Sequence, residues 1–85
     1  MARKEKEEVR SWEPGDIIRN AMIDRGMLQI DLADKLGVLQ SSVSGNINRK
    51  RMSLDVFSKM LDAMNFDIGV VDRETGEVMW KVIVK

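Results

Sequence analysis

Gln40, Ser41, Ser42, Ser44 and Asn48 carry short amide and hydroxyl side chains, and the cations Arg49, Lys50 and Arg51 follow them directly. A glutamine amide can pair with N6 and N7 of adenine, and a serine hydroxyl can donate or accept at any base edge. Guanidinium and ammonium groups attract phosphates whatever the sequence. As helix-forming material, the run from Gln40 to Asn48 is poor. Its serines, asparagines, valine and glycine sum to about 4 kcal/mol less helix stability than polyalanine. Two readings follow: a solvated polar segment without a ligand, or a helix whose outer side chains serve contact rather than helix stability.

Composition narrows the alternatives. The 85 residues suit one domain with a modest core. Without cysteine or histidine, disulfides, zinc sites built on those ligands, thiol nucleophiles and imidazole bases are excluded. No catalytic constellation replaces them, so neither enzymatic activity nor a cofactor is expected. No apolar run approaches the roughly 18 residues of a membrane span, and "MARKEKEEVRSWEPG" lacks the apolar stretch of a signal peptide. The expectation is a cytoplasmic protein without a membrane partner. Formal charge sums to zero, yet its distribution is uneven. Between Lys35 and Leu54 stand four cations, Lys35, Arg49, Lys50 and Arg51, and no carboxylate.

Several elements must position these groups. Residues 1–12 alternate charges without apolar periodicity and read as a flexible lead-in, with Trp12 as an anchor at its end. Pro14 suits a first helical turn, and Ile17, Ile18, Ala21 and Met22 follow at helical spacing. The predicted helix over 14–25 closes at Gly26 in the left-handed conformation. A second, shorter helix has Leu28, Leu32, Ala33 and Leu36 on one stripe and Gly37 at its end, with Val38 plugging the angle to the next helix. In the polar segment, Val43 and Ile47 are four apart and can face a core. Ser53 is a good N-cap for a fourth helix, with Asp55 in its first turn and Leu54, Phe57, Leu61 and Met64 as its buried stripe. Met22, Met60 and Met64 read as core gap-fillers.

The period then changes. Phe66, Ile68 and Val70, then Val78, Trp80, Val82 and Val84, alternate about the turn "DRETG". This predicts a β-hairpin whose other face bears Val71, Met79 and Ile83. Apolar residues on both faces call for cover on both: the helices on one, and on the other a second copy or another partner.

The run "MLQIDLADKLGVLQSSVSGNINRKRMSLDVFSKMLDAM" resembles the lambda-repressor-like (Xre-type) helix-turn-helix family. It does so in its Gln-x-x-Leu-Ala-x-x-Leu-Gly-Val core, the following Gln-Ser-x-Val-Ser, the Asn and basic loop, and the Ser-Leu opening of the next helix. The likeness spans about residues 15–65 and implies a mainly α, four- to five-helix bundle carrying the C-terminal hairpin. The corresponding division is a lead-in over 1–12, a DNA-binding domain over 13–65, and a hairpin over 66–85. The family position of Gln29 implies that it holds a phosphate. Those of Gln40, Ser41, Ser42 and Ser44 imply the exposed front of a recognition helix in the major groove. Asn48, Lys50 and Arg51, with Arg49 beside them, would grip the flanking backbone, and Lys35 is a weaker candidate.

Three departures stand out. Leu28 and Leu39 occupy positions where the family commonly has a hydroxyl N-cap, each loss costing about 1 kcal/mol, and Ile30 replaces a polar residue. Leu39 or Ile30 could touch thymine methyl groups; equally, Leu28 and Leu39 could staple helix ends or lie at an interface. Gly45 and Asn46 also differ from the family pattern, and Arg49 replaces the glycine that commonly ends the helix. The expectation is a sequence-specific binder of a double-stranded DNA operator, a transcriptional repressor acting as a homodimer through the hairpin on half-sites about 34 Å apart. The alternative is a protein-binding module, such as an antitoxin whose hairpin edge meets a toxin or antirepressor. A further alternative is a scaffold that kept the fold without binding DNA.

Overall fold

The computed structural model describes residues 12–83. The expected lead-in over 1–12 lies outside them except for Trp12, which is exposed, as do Val84 and Lys85. The described chain is mainly helical, with a small antiparallel hairpin. Its elements are α1 (Pro14–Arg25), α2 (Gln29–Leu36), α3 (Gln40–Asn48), α4 (Leu54–Ala63), β1 (Ile68–Val71) and β2 (Val78–Val82). No helix among the described residues is long and apolar enough to cross a membrane.

Local chemistry sets the boundaries. Pro14 opens α1, where its missing N–H would have no intrahelical partner anyway. Gly26 and Gly37 end α1 and α2 at φ 66° and 70°, a region in which a side chain would be strained. Ser53 caps α4, its hydroxyl accepting from the Val56 N–H at 3.2 Å. By contrast, α3 ends at Arg49 in extended conformation, φ −81° and ψ 148°. No positive φ is needed there, which is why arginine can stand where a glycine would otherwise be expected.

Ile18, Leu32, Val43 and Ile47, one or two from each of α1, α2 and α3, are the largest fully buried side chains. Met60, Leu61 and Met64 close the core from α4 and the residue after it. Met22 joins them, so the three methionines read as gap-fillers are all buried. Two expected stripe positions are corrected. Leu28 and Leu54 are exposed because each stands at the start of its helix, beyond the reach of the core. Val38 is only partly covered; it borders a crevice with Leu36, Val43, Val56 and Met60 instead of filling it.

The helices α1 and α3 approach closely at Gly15. A Cβ at Gly15 would fall inside the van der Waals envelope of the Ile47 carbonyl oxygen, so only glycine lets the first turn of α1 lie against the end of α3. Gly45, on α3 itself, has nothing near its missing side chain.

Arg25 roots the hairpin. Its Nε donates to the Met64 carbonyl at 2.9 Å and its guanidinium lies 3.8 Å from the centre of the Phe66 ring. Asp72 organises the turn, accepting at Oδ1 from the N–H groups of Glu74 and Thr75. In the ladder Ile68 faces Val82, Gly69 faces Lys81, Val70 faces Trp80 and Val71 faces Val78, with Met79 as an extra residue on β2. This bulge corrects the expected alternation. Residues directly opposite share a face, so Val78 joins Val71 and Gly69, while Trp80 lies with Val70 on the other side. A Cβ on Gly69 would sit 2.7 Å from Val78 Cγ1, in keeping with that arrangement.

The two unstrained glycines in helices predict opposite outcomes for one substitution. Gly15→Ala should lower unfolding free energy by about 2–3 kcal/mol through overpacking. Gly45→Ala should raise it by about 1 kcal/mol through helix propensity. Urea titration of both variants against the parent measures the difference in sign.

Candidate nucleic-acid interface

Val43 and Ile47 fix the rotation of α3 by turning one seam inward. At about 100° per residue, Gly45 falls opposite the middle of that seam, with Ser41 and Asn48 beside it. Gln40, Ser41 and Ser42 are exposed in the first turn, Ser44 is half-buried on one flank, and Asn48 is exposed at the end. The outward face therefore presents hydroxyls, amides and one bare stretch of backbone. No bulky side chain stands on it.

The helix gains little from its own ends. Leu39, the N-cap, makes no side-chain cap hydrogen bond and is 73% exposed. Asn46 turns its amide back onto the chain, Nδ2 donating to the Ser42 carbonyl at 2.9 Å. Its presence at an unexpected position thus has a local use. Leu28 likewise caps nothing with its side chain and is 68% exposed, although the Asp31 carboxylate accepts from its N–H at 2.9 Å. Ile30 is also exposed. The exposure of Leu28 and Leu39 disposes of the idea that they staple the helix ends into the fold.

After α3 the chain bends through Arg49 and Lys50 to Arg51, all exposed. Met52, next in line, packs partly against the core and pins the basic segment at its far end. Among the described residues, Arg49, Lys50 and Arg51 enter no ion pair and no side-chain hydrogen bond. Among the described residues nothing neutralises their charge.

Gln29 is half-buried at the first position of α2 and shares no hydrogen bond with α3 among the described residues. Lys35 lies apart from the outward face of α3: it borders a shallow depression with Lys59, Asp62 and Ala63 of α4. Arg19, which sequence reasoning did not single out, belongs to this surface. Its Nη1 donates to Asp16 Oδ1 at 3.1 Å and its Nη2 to Asn48 Oδ1, which joins α1 to the last residue of α3. Asn48 Nδ2 in turn donates to Ser44 Oγ at 3.5 Å. Nothing local could have signalled this contact, because Arg19 and Asn48 are 29 residues apart.

What this surface can do chemically is form hydrogen bonds at close range and attract anions at its end. Compared with known proteins, the chain matches no family model, no curated protein and no solved structure.

Because Leu39 is exposed at an N-cap and caps nothing, Leu39→Ser should stabilise the fold by about 1 kcal/mol in thermal unfolding. If Leu39 touches a thymine methyl, the same variant should lose affinity for a thymine-containing duplex despite its greater stability; unchanged affinity would remove that contact.

Proposed function

We propose that the chain is a sequence-specific double-stranded DNA-binding protein of the lambda-repressor-like type, a cytoplasmic transcriptional repressor acting as a homodimer. In this reading α2 and α3 form the helix-turn-helix, and α3 enters the major groove. The observation that carries it is the composition of the outward face of α3. The face bears small hydrogen-bonding side chains and a glycine with no steric reason to be there, on a helix held in place by Val43 and Ile47. Short side chains let a helix backbone lie deep in a groove, where Gln40, Ser41, Ser42 and Ser44 reach base edges.

Phosphate contacts complete the assignment. Arg49, Lys50 and Arg51 carry free charge next to the end of α3, where the flanking backbone would pass, and Gln29 and Asn48 are the uncharged candidates. The zero net charge is no obstacle, because the attraction is local and falls off over about 8–10 Å at ordinary salt.

The hairpin supports the homodimer. Trp80 is 67% exposed, and Val70, Val71, Val78, Met79 and Ile83 are exposed with it. A two-stranded hairpin with apolar residues open on both faces is marginal by itself. A second copy would cover it and set the spacing of the two α3 helices.

Selection from a random duplex pool tests the DNA reading. The parent chain should enrich one sequence. The triple variant Arg49→Ala, Lys50→Ala, Arg51→Ala should keep that preference but bind more weakly, with a salt dependence shallower by about 0.9 logarithmic units for each phosphate it no longer neutralises. Failure of the parent to enrich any sequence would shift the assignment to a protein-binding module. For the dimer, Trp80→Ser should leave thermal stability of the helical body nearly unchanged and convert the chain to a monomer in sedimentation equilibrium; an unchanged dimer would place the interface elsewhere.

A further inference from the structure

Asp16, Arg19, Asn48 and Ser44 form one hydrogen-bonded chain that runs from the first turn of α1 to the flank of α3. Its direction is set by chemistry. A guanidinium can only donate, so the atom of Asn48 that faces Arg19 must be the amide oxygen. The amide nitrogen is thereby forced to the other side, toward Ser44, and an amide nitrogen can only donate. Ser44 Oγ consequently accepts. Its own proton remains, and among the described residues it has no acceptor within the chain.

We infer that Arg19, through Asn48, presets Ser44 as a hydrogen-bond donor, and that Ser44 selects a base edge presenting an acceptor. This deepens the DNA reading above and rests on it. A free serine hydroxyl reads no particular base, because it rotates to donate or accept as required. A hydroxyl whose oxygen is already engaged by Asn48 loses part of that freedom. In the major groove, guanine offers N7 and O6 and thymine offers O4 as acceptors, adenine offers the N7 acceptor beside its N6 amino donor, and cytosine offers only its N4 amino donor. Ser44 accordingly favours an acceptor edge at the position it faces, guanine or thymine ahead of adenine with its mixed edge, and disfavours cytosine. Arg19 and Asn48 act here as positioning residues.

The polarity of the chain can be inverted by changing one atom. In Asn48→Asp, one carboxylate oxygen still accepts from Arg19, and the other faces Ser44 as an acceptor in place of the donor. The Ser44 proton then turns inward and its lone pairs face out, so the preference at that position should move toward bases that present a donor.

The experiment is selection from random duplexes, followed by measured affinities for the four base pairs at each position of the enriched site. It uses the full-length parent chain and the Asn48→Asp, Arg19→Met and Ser44→Ala variants, each first checked for an unchanged thermal transition. At one position the parent should favour an acceptor edge by about fivefold. Ser44→Ala should abolish that preference, Arg19→Met should relax it, and Asn48→Asp should reverse it. Preferences elsewhere in the site should persist in all of them. A uniform loss of affinity with the preference intact in Arg19→Met and Asn48→Asp would overturn the inference while leaving DNA binding in place. A parent chain that enriches nothing would overturn both.

Discussion

The structure depends on how α3 is held. A nine-residue helix of serines, asparagines and a glycine has no stability to spare on its own, since isolated helices of this length are marginal even in alanine. Two contacts replace what propensity lacks. Val43 and Ile47 are buried between α1, α2 and α4, and the Ile47 carbonyl lies against Gly15, where any side chain would intrude. The outer surface of α3 is therefore released from any duty to stabilise the helix. It can consist of whatever side chains a ligand requires.

The same division of labour runs through the rest of the helical body. The largest fully buried side chains are all aliphatic, and among the described residues no polar or charged one is buried. Hydrogen bonds that join distant elements are placed instead at the rim: Arg25 to the end of α4, and Arg19 to the end of α3. Such bonds at the rim add modest stability, yet they fix orientation. At the Arg19 end, the fixed orientation passes through an amide to a serine on the surface proposed to read DNA.

The hairpin follows a different rule. None of its described residues is fully buried; Phe66 and Ile68 tie its root to the core while the strands beyond expose apolar side chains on both faces. The bulge at Met79 raises the local twist and turns Val78 away from Trp80. Apolar surface is thus divided between the two faces, as it would be if more than one contact surface were needed to cover it.

Much of this was legible in the residues themselves. Helix boundaries followed from Pro14, Gly26, Gly37 and Ser53, because caps and left-handed turns depend on chemistry within a few residues. Val43 and Ile47 were recognisable as the inward seam of α3 because helical spacing alone sets which residues share a face. The amides, hydroxyls and cations of the candidate surface were evident as types in order. Only tertiary structure decided the rest. The exposure of Leu28, Leu39 and Leu54 depends on where the core ends, which no local pattern encodes. The face of Val78 depends on one extra residue in a ladder whose register is a property of two strands together. The tie from Arg19 to Asn48 and Ser44 exists because α1 and α3 pack closely at Gly15; in the sequence these residues are remote, and proximity in space is what gives them a shared hydrogen-bonding direction.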